Sequence, residues 1–277
     1  TFMYTIAGVS PCGNSSSTAT ICFVPQANAG LDGATTICSN DFTPINLNNL
    51  ITGEQAGGVW TSNCVGGNLA SGIFTPDATT TSCLFTYTVT GTPPCLNDIS
   101  TVTLTVIPKA DAGTDGVLPL CDNVTTPIDL TNIIVGEQSG GTWTRTDGGT
   151  TGVLAGSMFT PIAGMTATVT FDYTITGVSP CANDISSVTL TFGHQPNAGA
   201  NGTTTVCANN LVPINLASII SGQELGGVWT RTSGTGGVFN AASGTLVPDA
   251  TTTNSTFSYH ITAVAPCVDS NSVATVN

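Results

Sequence analysis

The stretch GGVWTS at residues 57–62 returns as GGTWTR at 140–145 and as GGVWTR at 226–231. The tryptophans Trp60, Trp143 and Trp229 stand 83 and 86 residues apart. Other landmarks keep those steps: Cys38, Cys121 and Cys207; Tyr87, Tyr173 and Tyr259; Cys95, Cys181 and Cys267. Self-similarity at a fixed period marks a tandem array. Each unit has 22 residues from first cysteine to tryptophan and 8 from tyrosine to second cysteine, while tryptophan to tyrosine takes 27, 30 and 30. The variable residues therefore belong to a surface connection.

Period-2 alternation dominates the units, and capped helix-period stretches are lacking. In CLFTYTVTG (83–91), Phe85, Tyr87 and Val89 share one face of a strand. STVTLTVIP (100–108) does the same with Val102, Leu104 and Val106, and Pro and Gly turns between the two make a hairpin with the second cysteine at its tip. Short alternating strands at regular spacing, with one tryptophan per unit, predict an all-β chain of tandem antiparallel two-sheet sandwiches. The expected division is an incomplete hairpin at 1–27 and repeats at 28–110, 111–196 and 197–277, the last with its final strand cut short. Residues 1–25 match the last two strands of a repeat, so the stretch reads either as a window on a longer array or as a hairpin that completes a neighbouring chain.

Composition narrows the function. Only 7% of residues are charged, the net charge is −13, and the only Lys and Arg residues are Lys109, Arg145 and Arg231. A phosphate backbone would be repelled, which excludes nucleic acid as a partner. No run approaches 18 apolar residues, so no membrane span is expected in this segment.

The units resemble the immunoglobulin-like tandem repeats of large surface adhesin and filament proteins of gliding, type IX-secreting bacteria. The residues that carry the resemblance are ANAGLDGATTIC, ADAGTDGVLPLC and NAGANGTTTVC at unit starts, GGVWT in the middle, and YTVTGTPPC, YTITGVSPC and YHITAVAPC near the ends. The resemblance implies an extracellular, cell-surface, secreted array. It departs from antibody domains in one respect: the second cysteine follows the tyrosine by eight residues rather than two, so a disulfide across the sandwich centre is not implied.

Ten cysteines in such a chain point to disulfides. The economical pairing joins the two cysteines of each unit: Cys38 to Cys95, Cys121 to Cys181 and Cys207 to Cys267. Cys64 and Cys83 are absent together from the other units, which have Asp147 and Val169, and Ser233 and Ser255, in their places. Residues that vanish as a pair are expected to be bonded. Cys12 sits at a hairpin tip and Cys22 on an outward face; a partner outside residues 1–27, or in a neighbouring chain, suits them better than each other. The tryptophans and Tyr87, Tyr173 and Tyr259 are read as core, with a carbohydrate-stacking tryptophan as the functional rival.

No metal or cofactor is expected. Calcium at the junctions is the one candidate, through Asp111 and Asp115, but the matching positions are Asn28 and Asp32 in one unit and Asn197 and Asn201 in another, so carboxylates number one, two and none. Turn residues fit better. Asp98 and Asp184 are expected to cap the hairpin turns. His194 and His260 fall at unrelated positions without a recurring nucleophile, so the chain reads as no enzyme. Arg145 and Arg231, two past their tryptophans, are expected to close the sandwich rim.

The reading is a stiff extracellular stalk or filament whose short linkers VPQANAG, IPKADAG and GHQPNAG each contain Pro, which limits bending. Its partners would be neighbouring repeats, identical chains, or surface glycans and host or substrate surfaces. The alternatives are a glycan- or partner-binding module and a non-catalytic appendage of a secreted enzyme.

Overall fold

The computed structural model describes all 277 residues. The chain divides into two compact units, residues 1–110 with 176–183, and residues 111–175 with 184–277. It is an all-β chain of tandem immunoglobulin-like sandwiches.

In the first unit, β1 (Phe2–Ile6) and β2 (Ser15–Ala19) form an isolated antiparallel hairpin. The first sandwich follows with β3 (Gly33–Cys38), β4 (Ile45–Asn46), β5 (Val59–Ser62), β6 (Asn68–Ala70), β7 (Ile73–Thr75), β8 (Cys83–Val89) and β9 (Asp98–Ile107). One sheet has the order β3-β9-β8-β5 and the other β4-β7-β6. All neighbours are antiparallel except β3, which runs parallel to β9 with Gly33 opposite Val102 and Cys38 opposite Ile107.

The second unit builds the same pattern twice. The second sandwich has β10 (Gly116–Cys121), β11 (Ile128–Asp129), β12 (Thr142–Arg145), β13 (Val153–Ala155), β14 (Met158–Thr160), β15 (Val169–Ile175) and β16 (Asp184–Gly193). The third has β17 (Gly202–Thr204), β18 (Ile214–Asn215), β19 (Val228–Ser233), β20 (Val238–Asn240), β21 (Thr245–Val247), β22 (Ser255–Ile261) and β23 (Ser270–Val276). The sheets are β10-β16-β15-β12 with β11-β14-β13, and β17-β23-β22-β19 with β18-β21-β20.

Alternation explains which residues are inside. Along β8 the burial runs with period 2, and Phe85 and Tyr87 point into the core. The centre of each sandwich is a pair of phenylalanines from opposite sheets, Phe74–Phe85, Phe159–Phe171 and Phe239–Phe257, with ring centroids 4.8, 4.9 and 4.9 Å apart. Leu47, Leu130 and Leu216 are fully buried beside them. The tryptophans expected in the core pack there to different degrees, and Trp60 lies against the first core from its margin. Trp60 and Trp143 are only half-buried, whereas Trp229 is 6% exposed. β5, β12 and β19 are all edge strands, so the sheet edge does not separate them; the turn at Gly244 lies closer against the Trp229 indole than the turn at Gly72 does against Trp60.

The junction aspartates also take other roles than expected. Asp98 and Asp184 do not cap the hairpin turns; each accepts a hydrogen bond at 2.7 Å from the backbone N–H that opens its own repeat, of Ala29 and Ala112. The residue before each makes the turn cap, Asn97 accepting from Gly91 N and Asn183 from Gly177 N, both at 3.0 Å. Asn14 and Asp269 do the same at the other two tips. The two positions considered for calcium are hydrogen-bond acceptors whichever residue is present. Asn28, Asp111 and Asn197 accept from the N–H two residues on. Asp32, Asp115 and Asn201 accept from Thr101, Ser187 and Val273 on the last strand. An amide oxygen serves as well as a carboxylate there, which is why the charge varies.

Candidate functional site

The cysteines hold the largest difference between expectation and structure. Cys64 and Cys83 are bonded to each other. Cys38 is bonded to Cys181 and Cys121 to Cys267, across sequence separations of 143 and 146. The pairings Cys38–Cys95, Cys121–Cys181 and Cys207–Cys267 do not form, and Cys95 and Cys207 are free thiols, as are the exposed Cys12 and Cys22. The reason is the parallel strand. β3 and β9 both run away from the tip that holds Cys95, so Cys38 ends up level with Ile107, at the far end of a ten-residue strand. At about 3.3 Å per residue that separates the two cysteines by roughly 30 Å, while a disulfide needs Cα atoms within about 7 Å. What reaches Cys38 is the tip of the following repeat. Cys181 Sγ lies 3.4 Å from Ile107 O, and Cys95 Sγ occupies the matching seat 3.7 Å from Val24 O.

The second feature surrounds the recurring Gly-Gly-x-Trp. Its two glycines are needed for different reasons. The first has φ of +91°, +95° and +100° at Gly57, Gly140 and Gly226, a region that favours glycine. The second makes room, because a Cβ at Gly58, Gly141 or Gly227 would overlap the ring of Tyr87, Tyr173 or Tyr259. Each tyrosine hydroxyl accepts from that second glycine N–H at 2.9 Å and donates at 2.7 Å to the carbonyl of Gln55, Gln138 or Glu224. The tyrosine thus ties the loop down, and the tryptophan directly across the strand pair packs on its ring, with centroids 5.1, 4.9 and 4.9 Å apart. In repeats 1 and 2 this leaves open pockets of about 620 and 690 Å³ on the outer side of the indole. Equivalent residues line both: Glu54 and Glu137, Trp60 and Trp143, Asn48 and Thr131.

The rim arginines are occupied. Arg145 forms a paired salt bridge with Asp147, Nε–Oδ1 2.6 Å and Nη2–Oδ2 2.8 Å, and lies 5.7 Å from the centroid of Phe159. The Arg145 guanidinium holds the Asp147 carboxyl below its usual range. Arg231 donates to Gly236 O at 2.7 Å and Ser255 Oγ at 2.7 Å and covers Phe257.

His194 links the second and third sandwiches within the second unit. Its Nδ1 is 2.8 Å from Asp122 and its Nε2 2.9 Å from Glu224. Those carboxylates, Glu224 first, raise its pKa above 6.5. Asp122 is lowered, chiefly by the N–H of Gln195 and then by His194, and Glu224 is lowered by His194. His260 lies on the sheet surface against Asn271, with Nδ1–Oδ1 2.8 Å. No helix is long and apolar enough to cross a membrane.

No protein-family model and no curated protein matches the chain. Solved structures do match it along most of its length. The I-band fragment I67–I69 from titin aligns over 89% of this chain and 96% of its own, with 10% identity and a TM-score of 0.34. Extracellular domains 3–5 of Drosophila OTK align over 92% and 100%, at 12% identity and 0.33. Extracellular cadherin domains 1–4 of protocadherin gamma B7 align over 92% and 76%, at 10% and 0.34.

Proposed function

We propose that the chain is a non-catalytic structural repeat region, working as a stalk or filament segment of a bacterial cell-surface adhesin. Its repeats are those at 28–110, 111–196 and 197–277, preceded by the hairpin of 1–27. The bacterial setting rests on the resemblance of the repeat motifs. An extracellular location suits the three disulfides, which persist in oxidising compartments.

The observation that supports a load-bearing role is the overlap of the two long disulfide loops. The loop closed by Cys38–Cys181 and the loop closed by Cys121–Cys267 share residues 121–181. Every peptide bond between Cys38 and Cys267 therefore lies inside at least one loop, and cutting any one of them leaves the two sides covalently joined. Pairing within repeats, as expected from spacing, would leave each linker as a single unprotected tie.

Pulling tests this reading. Reduced, Cys38 and Cys267 are 267 − 38 = 229 residues apart and extend to about 780 Å at roughly 3.4 Å per residue. Oxidised, the shortest covalent route crosses from Cys38 to Cys181, runs back to Cys121 and crosses to Cys267, which is 181 − 121 = 60 residues, or about 200 Å. Single-molecule extension of the oxidised chain is expected to stop near the shorter length. An extension equal to that of the reduced chain overturns the role.

A further inference from the structure

We infer that the pockets beside Trp60 and Trp143 each bind the ring of a neutral pyranose, and that the third repeat has lost this site through a single side-chain amide. The inference is independent of the load-bearing role.

The two open pockets have the volume of small-molecule sites. They lie in separate repeats, yet both keep a half-buried indole backed by a tyrosine, a glutamate, and the backbone of the two glycines. Polar groups line both beside the indole: Asn48 and Ser71 in the first, Thr131, Ser139 and Ser157 in the second. An indole face offers the axial C–H groups of a sugar ring an apolar, electron-rich surface. A carboxylate offers two oxygens that accept from neighbouring hydroxyls, and charge strengthens those hydrogen bonds. The net charge of −13 and the glutamate itself disfavour an acidic sugar. An ammonium ligand would want several aromatic faces around it, and here the tyrosine ring is buried behind the tryptophan.

The third repeat is an internal control. Gln223 stands where Glu54 and Glu137 stand, and Ala217 where Asn48 and Thr131 stand. Gln223 Nε2 donates to Ala217 O at 2.8 Å, which joins the two positions whose counterparts line the pockets of the other repeats, and Trp229 is buried. A carboxylate has no N–H and cannot make this bond. Glutamate therefore keeps the mouth open and glutamine closes it.

Tryptophan fluorescence of the full oxidised chain, titrated with methyl β-D-glucopyranoside, methyl β-D-galactopyranoside and methyl α-D-mannopyranoside, tests the inference. At least one glycoside is expected to bind saturably with a Kd of about 1 mM, the scale for a ligand of this size. Calorimetry is expected to count two sites. Glu54→Gln with Glu137→Gln should weaken binding at least tenfold while circular dichroism stays unchanged, and Gln223→Glu should add a third site. Tetramethylammonium chloride is the cation probe. Absence of saturable binding by all three glycosides overturns the inference. So does binding of tetramethylammonium in their place, or unchanged affinity in the double glutamine variant.

Discussion

The first and second repeats close the same edge of the same sheet with different chemistry. In repeat 1 the position four past the tryptophan is Cys64, bonded to Cys83 at the start of β8. In repeat 2 the matching residues are Asp147 and Val169, and Arg145 does the work by pairing with Asp147 and lying over Phe159. Repeat 3 is a third version, in which Arg231 bonds directly to Ser255, the residue in the place of Cys83. Repeat 1 has Ser62 where the others have arginine. The connection after the tryptophan strand is glycine-rich, and each repeat anchors it by a different contact. The disulfide stands in the repeat that lacks the arginine, and the arginines stand in the repeats that lack the disulfide.

The comparison can be broken or sharpened by substitution. The largest effect is expected from the bonds that join repeats, because they close the longest loops. Cys121→Ser with Cys267→Ser should lower stability by up to about 5 kcal/mol by loop-closure entropy, read from the urea transition of the second unit. Transitions unchanged within about 1 kcal/mol would show that the repeats gain nothing from being tied. Next comes Cys64→Ala with Cys83→Val, which opens a loop of 19 residues and is expected to cost about 3 kcal/mol. Adding Ser62→Arg and restoring an acid with Cys64→Asp should recover part of that loss; no recovery would mean the two ties are not equivalent.

Arg145→Met keeps the aliphatic cover on Phe159 and removes the paired hydrogen bonds. With both side chains about 15% exposed or less, a cost of about 2 kcal/mol is expected, and the same change at Arg231 should leave Ser255 without its charged donor. The smallest effect concerns His194. Its pKa is raised in the fold, so its contribution is complete below its ordinary 6.5 and is lost as pH rises through the raised value. Asp122 and Glu224 are lowered, so theirs is present above 3.8 and 4.5 and lost as pH falls through the lowered values. The bridge is therefore strongest between about pH 4.5 and 6.5. Amide exchange at Asp122, Gln195 and Glu224 should speed up as pH is raised past that window beyond the intrinsic base-catalysed increase, and His194→Gln should abolish the excess.

The sequence by itself determined what is local and periodic. Alternation placed Phe85, Tyr87 and Val102 inside, because side chains on a strand point to opposite faces in turn whatever the sheet does. The joint absence of Cys64 and Cys83 from two repeats pointed to one bond, because both flank a single edge. The glycine pair before each tryptophan was legible as a recurring motif, although the second glycine's role in admitting the tyrosine ring was not. Tertiary structure alone decided the long-range partners. Cys38–Cys95 and Cys38–Cys181 keep equally regular spacings, and only the parallel pairing of β3 with β9 carries Cys38 away from its own repeat's tip to meet the next. The difference between the partly buried Trp60 and Trp143 and the buried Trp229 was likewise hidden, since all three stand on edge strands and face inward by pattern, and only the packing of neighbouring loops separates them. Strand order is set by which surfaces bury together, and a repeat's own residues do not state which edge will be left without a neighbour.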